Sequence, residues 1–514
     1  MPEHLIIIGG VAAGTKAASK VRREKPDLKI TLYTEENYVS YSACGMPYFI
    51  EGIIPTKERL LVRSPEKFRE QENIDIRLLH RVTKIVPENN KIVVKNLETN
   101  EEFEDEYSHL LIATGSHAIV PQLEGVDMGK VFKFKTIEDA IKLKEATKTA
   151  KKAVIVGGGY IGLELAGVFH SLGIETTIVE RLPQILNSFD SDLAYQVQRH
   201  IEEKGVKVFT NTTASGDLQE IKDADIILMT IGVKPNVELA REAGIEIGST
   251  GAIKVNKKMQ TSIPNIYAAG DCVESINRIT GKPVWIPLGS TANKQGRIAA
   301  MNITGEAAEF EGVFGSSVAK IFDYTASRTG LSEKEAKGQG FEYEIAIVPH
   351  RDRSGYMPNS KDIIIKLIAE KKTGKLLGIQ AIGEGDADKR VNVIAAALLG
   401  NMTVDELSQT DLTYAPPYSP SIDPLLVAAQ ILQSKIKKHV PSISPQELQK
   451  LTEVEVINIR NLSSDEVAKK ILDQGSKAVF LCCDKGLRSY LETLKLREKG
   501  YKNVGFIDGG TNLL

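Results

Sequence analysis

Cysteine is scarce in this chain, with four residues in 514. So few thiols exclude a disulfide-stapled extracellular scaffold and leave any thiol that matters to act through its reactivity. An excess of charge is missing too. Lys and Arg number 65 against 67 Asp and Glu, a formal net charge of −2. Overall charge therefore argues for neither nucleic acid nor a membrane surface as partner, and any basic site is local. Long hydrophobic runs are absent, since no apolar stretch approaches the ~20 residues that cross a bilayer. The N-terminus enters an apolar strand directly, without a secretory n-region and cleavage site. A soluble protein of the reducing cytoplasm is expected, with no metal site.

What is present begins with glycine in two places. Leu5 to Ile8 is a short apolar strand that ends in Gly9-Gly10-Val11-Ala12-Ala13-Gly14 and leads into an alanine-rich helix. The same pattern of strand, tight turn and helix recurs at Ala153 to Val156, Gly157-Gly158-Gly159-Tyr160-Ile161-Gly162 and a helix from Leu163. Such turns bring a pyrophosphate against backbone N–H groups at a helix N-terminus, where the macrodipole favours an anion and a Cβ would block the approach. Two copies predict two dinucleotide-binding folds in a chain long enough for about three to four domains. After the second, the strand Thr176-Thr177-Ile178-Val179 ends in Glu180, an acid placed to hold a ribose 2′-OH and repel a 2′-phosphate. That favours NADH over NADPH, with Arg181 working against the preference. The first copy departs from the pattern: Val11 replaces the middle glycine, and its strand Lys29 to Tyr33 ends in Thr34, with Glu35 one place later. Glycine turns that bind nothing are the alternative for both copies.

Downstream of the first turn lies Ser40-Tyr41-Ser42-Ala43-Cys44-Gly45. The nearest other cysteine is Cys272, so Cys44 has no local partner for an internal disulfide. Its oxidised state is then a mixed disulfide, a persulfide or a sulfenic acid; a buried, inert thiol is the alternative. The run Met46 to Ile50 predicts a helix, whose N-terminus would favour thiolate. Two further apolar strands end in small-residue turns, Leu110-Leu111-Ile112-Ala113-Thr114-Gly115 and Asn265-Ile266-Tyr267-Ala268-Ala269-Gly270-Asp271.

These motifs, in this order, resemble the two-dinucleotide-fold flavoprotein disulfide reductases. The resemblance implies FAD in the first fold, contacted by Gly9, Gly14, Glu35, Ser40, Val82, Thr114 and Gly115, with Asp271 bonding the ribityl chain. It implies a nicotinamide nucleotide in the second, against Gly157, Gly159, Tyr160, Ile161, Gly162, Glu164, Glu180 and Gly232. Cys44-Gly45 followed by Met46-Pro47-Tyr48 resembles the coenzyme A disulfide reductase branch, with its NADH oxidase and persulfide reductase relatives. Phe322-Asp323-Tyr324, the run from Gly385 to Arg390 and Tyr414-Ala415-Pro416-Pro417-Tyr418-Ser419 resemble that branch's dimerisation domain. A homodimer is implied, in which Tyr356 and Tyr414 approach the partner's cysteine and can hydrogen-bond or protonate a leaving thiolate. Arg22 and Arg23 at the end of the first helix are placed to bind the phosphates of coenzyme A, with arginines merely solvated or facing the helix dipole as the alternative, and Ser40 is a further expected substrate contact. Ala43 and Met357 stand where the branch has asparagine and tyrosine.

After Gln433-Ser434-Lys435-Ile436-Lys437-Lys438 the composition predicts a linker, and then a compact α/β tail. Cys483-Asp484-Lys485-Gly486-Leu487-Arg488-Ser489, after the strand Ala478 to Cys482, resembles a rhodanese active-site loop in which backbone N–H groups and Arg488 hold a persulfide on Cys483. The interval before Cys483 is short for that fold, so a degenerate remnant is the alternative. Cys482 is expected to point into the core, because adjacent strand residues face opposite sides.

The fold class expected is α/β: an FAD domain in two parts, 1–148 and 255–320, an NADH domain at 149–254, an α+β dimerisation domain at 321–436 and a rhodanese-like domain at 437–514. The activity expected is NADH-dependent reduction of a small coenzyme A-linked disulfide, a persulfide or polysulfide through FAD and Cys44. An NADH oxidase or peroxidase with a Cys44 sulfenic acid, or a flavin redox sensor, is the alternative.

Overall fold

The computed structural model describes residues 3–513. The chain packs as two compact units. One holds the chain up to Gly157 with Val168–Thr177 and Ala214–Val313; the other holds Gly158–Gly167, Ile178–Thr213 and everything from Phe314 onward. The segment 149–254, expected as one domain, contributes to both units.

In the first unit a parallel sheet runs in the order Ile266–Ala268, His109–Ile112, His4–Ile8, Lys29–Tyr33, Asp75–Arg77. Leu5, Ile6 and Ile7 of the central strand are wholly buried, as expected for a parallel strand covered on both faces. Ile8 pairs with Ile112, and Ile112 with Ala268. This register brings the ends of three strands to one edge, so the segments at Gly9, Thr114 and Asp271 all leave the sheet there, the usual place for a ligand in an open α/β sheet. Helix Ala12–Glu24 turns Ala13, Ala17, Ala18 and Val21 inward. It lies so close to helix Gly289–Ile303 that a Cβ on Gly296 would strike the Ala13 carbonyl. The unit also contains an antiparallel meander of His80–Val86, Lys91–Asn96 and Glu102–Glu106, and parallel strands Val131–Lys133, Ile226–Met229 and Lys152–Val156.

The second unit is built on an antiparallel sheet in the order Ser317–Ile321, Tyr324–Gly330, Leu376–Gly383, Asp362–Glu370, Tyr343–Arg351, against which helices Ala387–Leu399 and Pro424–Lys438 pack. A smaller parallel sheet closes the chain, in the order Ser442–Ile443, Val504–Ile507, Ala478–Cys482, Val454–Asn458. Helix Ser464–Asp473 occupies the short interval before Cys483, with Val467 and Ile471 buried.

The linker expected after Gln433 to Lys438 is nearly absent. Those residues form the last turns of helix Pro424–Lys438, and the chain passes almost at once into the strand Ser442–Ile443. Lys435 is wholly buried there, its ammonium 2.9 Å from Asp508 Oδ2, 3.1 Å from Glu344 Oε1 and bonded to the Ile345 carbonyl. Burial opposes the charge, but the two carboxylates outweigh it and hold the lysine above its ordinary range. A run of lysines reads as solvated only while no acceptor reaches it from elsewhere in the chain. Among the described residues no helix is long and apolar enough to cross a membrane.

Candidate functional site

The first glycine turn is fixed by close contacts. Gly9 has φ +111°, and a Cβ there would strike the Ala113 carbonyl; one on Gly14 would strike the Gly9 carbonyl. Helix Ala12–Glu24 has no acid in its first turn and, among the described residues, no side-chain cap. Its leading N–H donors are left to an anion. Val11 occupies the cap position with φ −106°. Nearby, Asp271 Oδ2 accepts from Lys135 Nζ at 3.0 Å and from Ser116 Oγ at 3.0 Å. The Asp271 carbonyl accepts from the Trp285 indole at 2.8 Å. Thr114 Oγ1 donates to the Asn236 carbonyl at 2.8 Å, and Asn236 Nδ2 donates back to the Thr114 carbonyl at 2.7 Å. Gly115 has φ +69° with open space where a Cβ would stand. This is a pinned frame around a space, and it fits a dinucleotide.

The cysteine segment is tied to that frame. Ser40, in the left-handed region at φ +53°, donates its N–H to the Gly10 carbonyl at 2.7 Å. Val62 N donates to the Ser40 carbonyl at 2.7 Å, and Ser42 N to the Leu60 carbonyl at 2.8 Å. Cys44 lies exposed in the single turn Ala43–Gly45. The short helix Met46–Glu51 follows, burying Met46, Phe49 and Ile50. Cys272 is the opposite case: it is wholly buried, its thiol pushed up by burial and bonded to the Ile112 and Ala269 carbonyls. Of the two thiols in this unit, only Cys44 meets solvent.

Other expected residues fall in several places. Glu35 is exposed and paired with Arg81 at 2.6 Å, while its half-buried neighbour Glu36 accepts the Tyr41 hydroxyl at 2.8 Å; the sequence reading missed Glu36. Val82 is buried in the meander. Arg22 donates to the carbonyls of Pro26 and Asn73, whereas Arg23 is exposed.

At the second turn, Gly157 has φ +108°, and a Cβ would stand 2.6 Å from the Thr230 carbonyl oxygen. Gly158 N donates to Glu180 Oε2 and Leu182 N to Glu180 Oε1, both at 2.8 Å. The buried acid thus braces the turn from the strand end. A Cβ on Gly159 would meet nothing within 4 Å, so the space in front of helix Tyr160–Ser171 is open, as a pyrophosphate requires. Gly162 is buried in that helix and Ile161 exposed. Tyr160 Oη lies 2.8 Å from Ser317 Oγ and accepts from Ser188 at 3.0 Å. Burial pushes the Glu164 carboxyl up to about 7, against a backbone hydrogen bond from Lys320. Gly232 takes φ +115° in the turn between the strands Ile226–Met229 and Val233–Pro235.

In the second unit Tyr356 and Tyr414 are 74% and 52% exposed. Cys482 and Cys483 are both buried but in different clusters: Cys482 with Ile443 and Ile507, Cys483 with Ile457, Val479 and Leu481. Burial pushes Cys482 up to about 11. Cys483 Sγ is 3.5 Å from Ser489 Oγ. Its loop turns through Gly486 at φ +82° into helix Leu487–Glu498, and a Cβ on Gly510 would strike the Cys483 carbonyl. Arg488 donates to the carbonyls of Arg460 and Leu462, bracing the loop from outside.

Two dinucleotide turns, with an exposed thiol on a segment bonded to the first, define an oxidoreductase that moves electron pairs between a nicotinamide nucleotide, a flavin and sulfur. The chain belongs to the pyridine nucleotide-disulphide oxidoreductases: that family's model matches residues 3–296, and the family's dimerisation domain matches residues 316–425. It is 38% identical over 442 residues to the NAD(P)H sulfur oxidoreductase (CoA-dependent) of Pyrococcus abyssi, covering 84% of this chain and 98% of that protein. The structure of reduced Bacillus anthracis CoADR-RHD is similar with a TM-score of 0.93 and 33% identity, covering 100% of this chain and 98% of that one. The NAD-dependent persulfide reductase from A. fulgidus matches with a TM-score of 0.93 and 35% identity, over 99% of both chains. The last two matches include the C-terminal tail.

Proposed function

We propose that the protein is a cytoplasmic, homodimeric NADH-dependent reductase of coenzyme A-linked disulfides, persulfides or polysulfides, working through Cys44. The observation that carries this reading is the placement of Cys44: an exposed thiol on a segment whose backbone is bonded to the first glycine turn. FAD and NADH fit the two turns, and bound FAD supplies the exchange of an electron pair between the nicotinamide and sulfur. The residues of the chain do the rest. The Cys44 thiolate attacks one sulfur of coenzyme A disulfide; a Cys44–sulfur bond forms, the original S–S bond breaks, and coenzyme A leaves as a thiolate. With coenzyme A persulfide the attack falls on the inner sulfur and hydrosulfide leaves. Either product is a Cys44–coenzyme A mixed disulfide, which two electrons and two protons return to thiols. Tyr356 and Tyr414 of the partner subunit would donate hydrogen bonds to the departing thiolate, and exposed Arg23, more than the engaged Arg22, is available to coenzyme A phosphate. Ser40 would touch flavin or substrate. Cys483 would carry sulfane sulfur in a loop whose N–H groups favour an anion.

The test is anaerobic steady-state NADH oxidation by the purified holoenzyme with coenzyme A disulfide, coenzyme A persulfide, polysulfide and peroxide compared side by side. A coenzyme A-linked sulfur substrate is expected to give the highest kcat/KM. Peroxide as the best acceptor would move the protein to the peroxidase class.

A further inference from the structure

Tyr41 stands on the segment that presents Cys44, and the mechanism above gives it no task. Its ring is buried, with 7% exposure, yet its hydroxyl donates to Glu36 Oε2 at 2.8 Å. A phenylalanine would fill the same space, so the hydroxyl is there for the carboxylate. The segment needs holding. Ser40 sits at φ +53°, a conformation a non-glycine residue adopts only when its surroundings enforce it, and Tyr41 itself bridges to Leu61. Glu36 is held in turn: its N–H donates to Thr34 Oγ1 at 3.3 Å, and its carbonyl accepts from Leu79 N at 3.4 Å.

We propose that Glu36 and Tyr41 are positioning residues for the thiol step, a latch in which the carboxylate fixes the tyrosine and the tyrosine fixes the segment bearing Cys44. The inference rests on the reading of Cys44 as the redox thiol. A glutamine would satisfy the tyrosine without a charge, so the acid implies that the charge is used. Burial pushes the Glu36 carboxyl up to about 7, with the Tyr41 hydroxyl opposing, Glu138 and Glu35 adding to the rise and Lys135 opposing it. Asp139 and Glu138, on helix Ile137–Thr147, also face Tyr41. Lys135 is already bonded to Asp271 and Ser116. The latch is therefore strongest above neutrality, where a charge-assisted bond replaces a neutral one, and weakens as Glu36 takes up a proton. The stability linkage runs the other way. A carboxyl whose folded pKa is raised lends stability as pH falls below that pKa, so at alkaline pH the ionised Glu36 is a load on the fold.

The experiment is anaerobic stopped-flow on FAD-loaded enzyme, separating flavin reduction by NADH from the thiol step with coenzyme A disulfide, from about pH 5 to about pH 8. Wild type is expected to show a thiol step that rises through neutrality. Tyr41→Phe should slow that step about tenfold at the alkaline end, the loss of a charged hydrogen bond, with flavin content and flavin reduction unchanged. Glu36→Gln should flatten the rise through neutrality and raise Tm at alkaline pH, an advantage that shrinks as pH falls. If both variants keep the wild-type rate and the wild-type pH step, the latch does not exist. Cys44→Ser run alongside separates the two readings, because its full turnover would refute the redox thiol whatever the latch variants do.

Discussion

Replacing Lys435 by methionine tests whether the C-terminal sheet is fastened to the antiparallel sheet or merely tethered. The wild-type ammonium has no exposed surface and serves two carboxylates, Asp508, itself 1% exposed, and Glu344, 20% exposed. Methionine keeps most of the volume and removes the charge, leaving Asp508 in a dry site with no cation. Breaking a buried pair from one side costs about 3–5 kcal/mol, and each ~1.4 kcal/mol is tenfold in a population. Molecules with the tail detached should therefore become roughly a hundredfold or more commoner. Limited proteolysis reads this directly when opening and closing are fast, because cleavage then tracks the open population. Wild type should resist cutting between Lys438 and Ser442, and Lys435→Met should be cut there roughly a hundred times faster. The stranded carboxylate will tend to take a proton, which the unfolded chain does not bind near neutrality, so the defect should ease as pH falls. Adding Asp508→Asn to Lys435→Met should restore part of the resistance. Rapid cutting of wild type at this point, as a linker would allow, or equal rates for wild type and Lys435→Met, would refute the buried tie.

Asp271→Ala removes the acceptor shared by Lys135 and Ser116; FAD retention on gel filtration should weaken about tenfold, and a wild type that takes up no flavin on reconstitution would defeat the site. Because Glu180 stands at the strand end of the second turn, kcat/KM should favour NADH, and Glu180→Gln should narrow the preference; equal or better values with NADPH for wild type would count against it. Cys483→Ser should spare reduction of small diffusible acceptors and impair turnover from polysulfide. Treated wild type should carry one extra sulfur atom on the Cys483 peptide by mass spectrometry, and the lack of that adduct with unchanged kinetics would mark the tail as a remnant.

The features that the sequence discloses are those set by local geometry. Gly9, Gly14 and Gly157 are required by backbone atoms pressing on them, and a glycine pattern is visible in one dimension. The contrast between Cys44 and Cys272 was legible only in part: isolation can be read from spacing, but burial of Cys272 comes from packing beneath the sheet. Elsewhere a distant residue decides. Lys435 looks like a linker lysine because Asp508 and Glu344, which bury it, lie far away in sequence. Glu35 stands one place past the expected position, and the fold turns it to Arg81 on the surface and turns Glu36 inward. Arg22 looks like an anion-binding cation, and its placement against the carbonyls of Pro26 and Asn73 depends on a loop that composition does not reveal.

In the proposed mechanism electrons leave the flavin through Cys44 alone. Cys44→Ser, loaded with FAD and mixed anaerobically with NADH, separates the two half-reactions: serine leaves the glycine turns and the Asp271 site untouched but cannot form a sulfur–sulfur bond. Flavin absorbance should bleach at the wild-type rate and then stay bleached when coenzyme A disulfide or persulfide is added, whereas wild type reoxidises. Reoxidation of Cys44→Ser by these substrates at the wild-type rate would contradict the account.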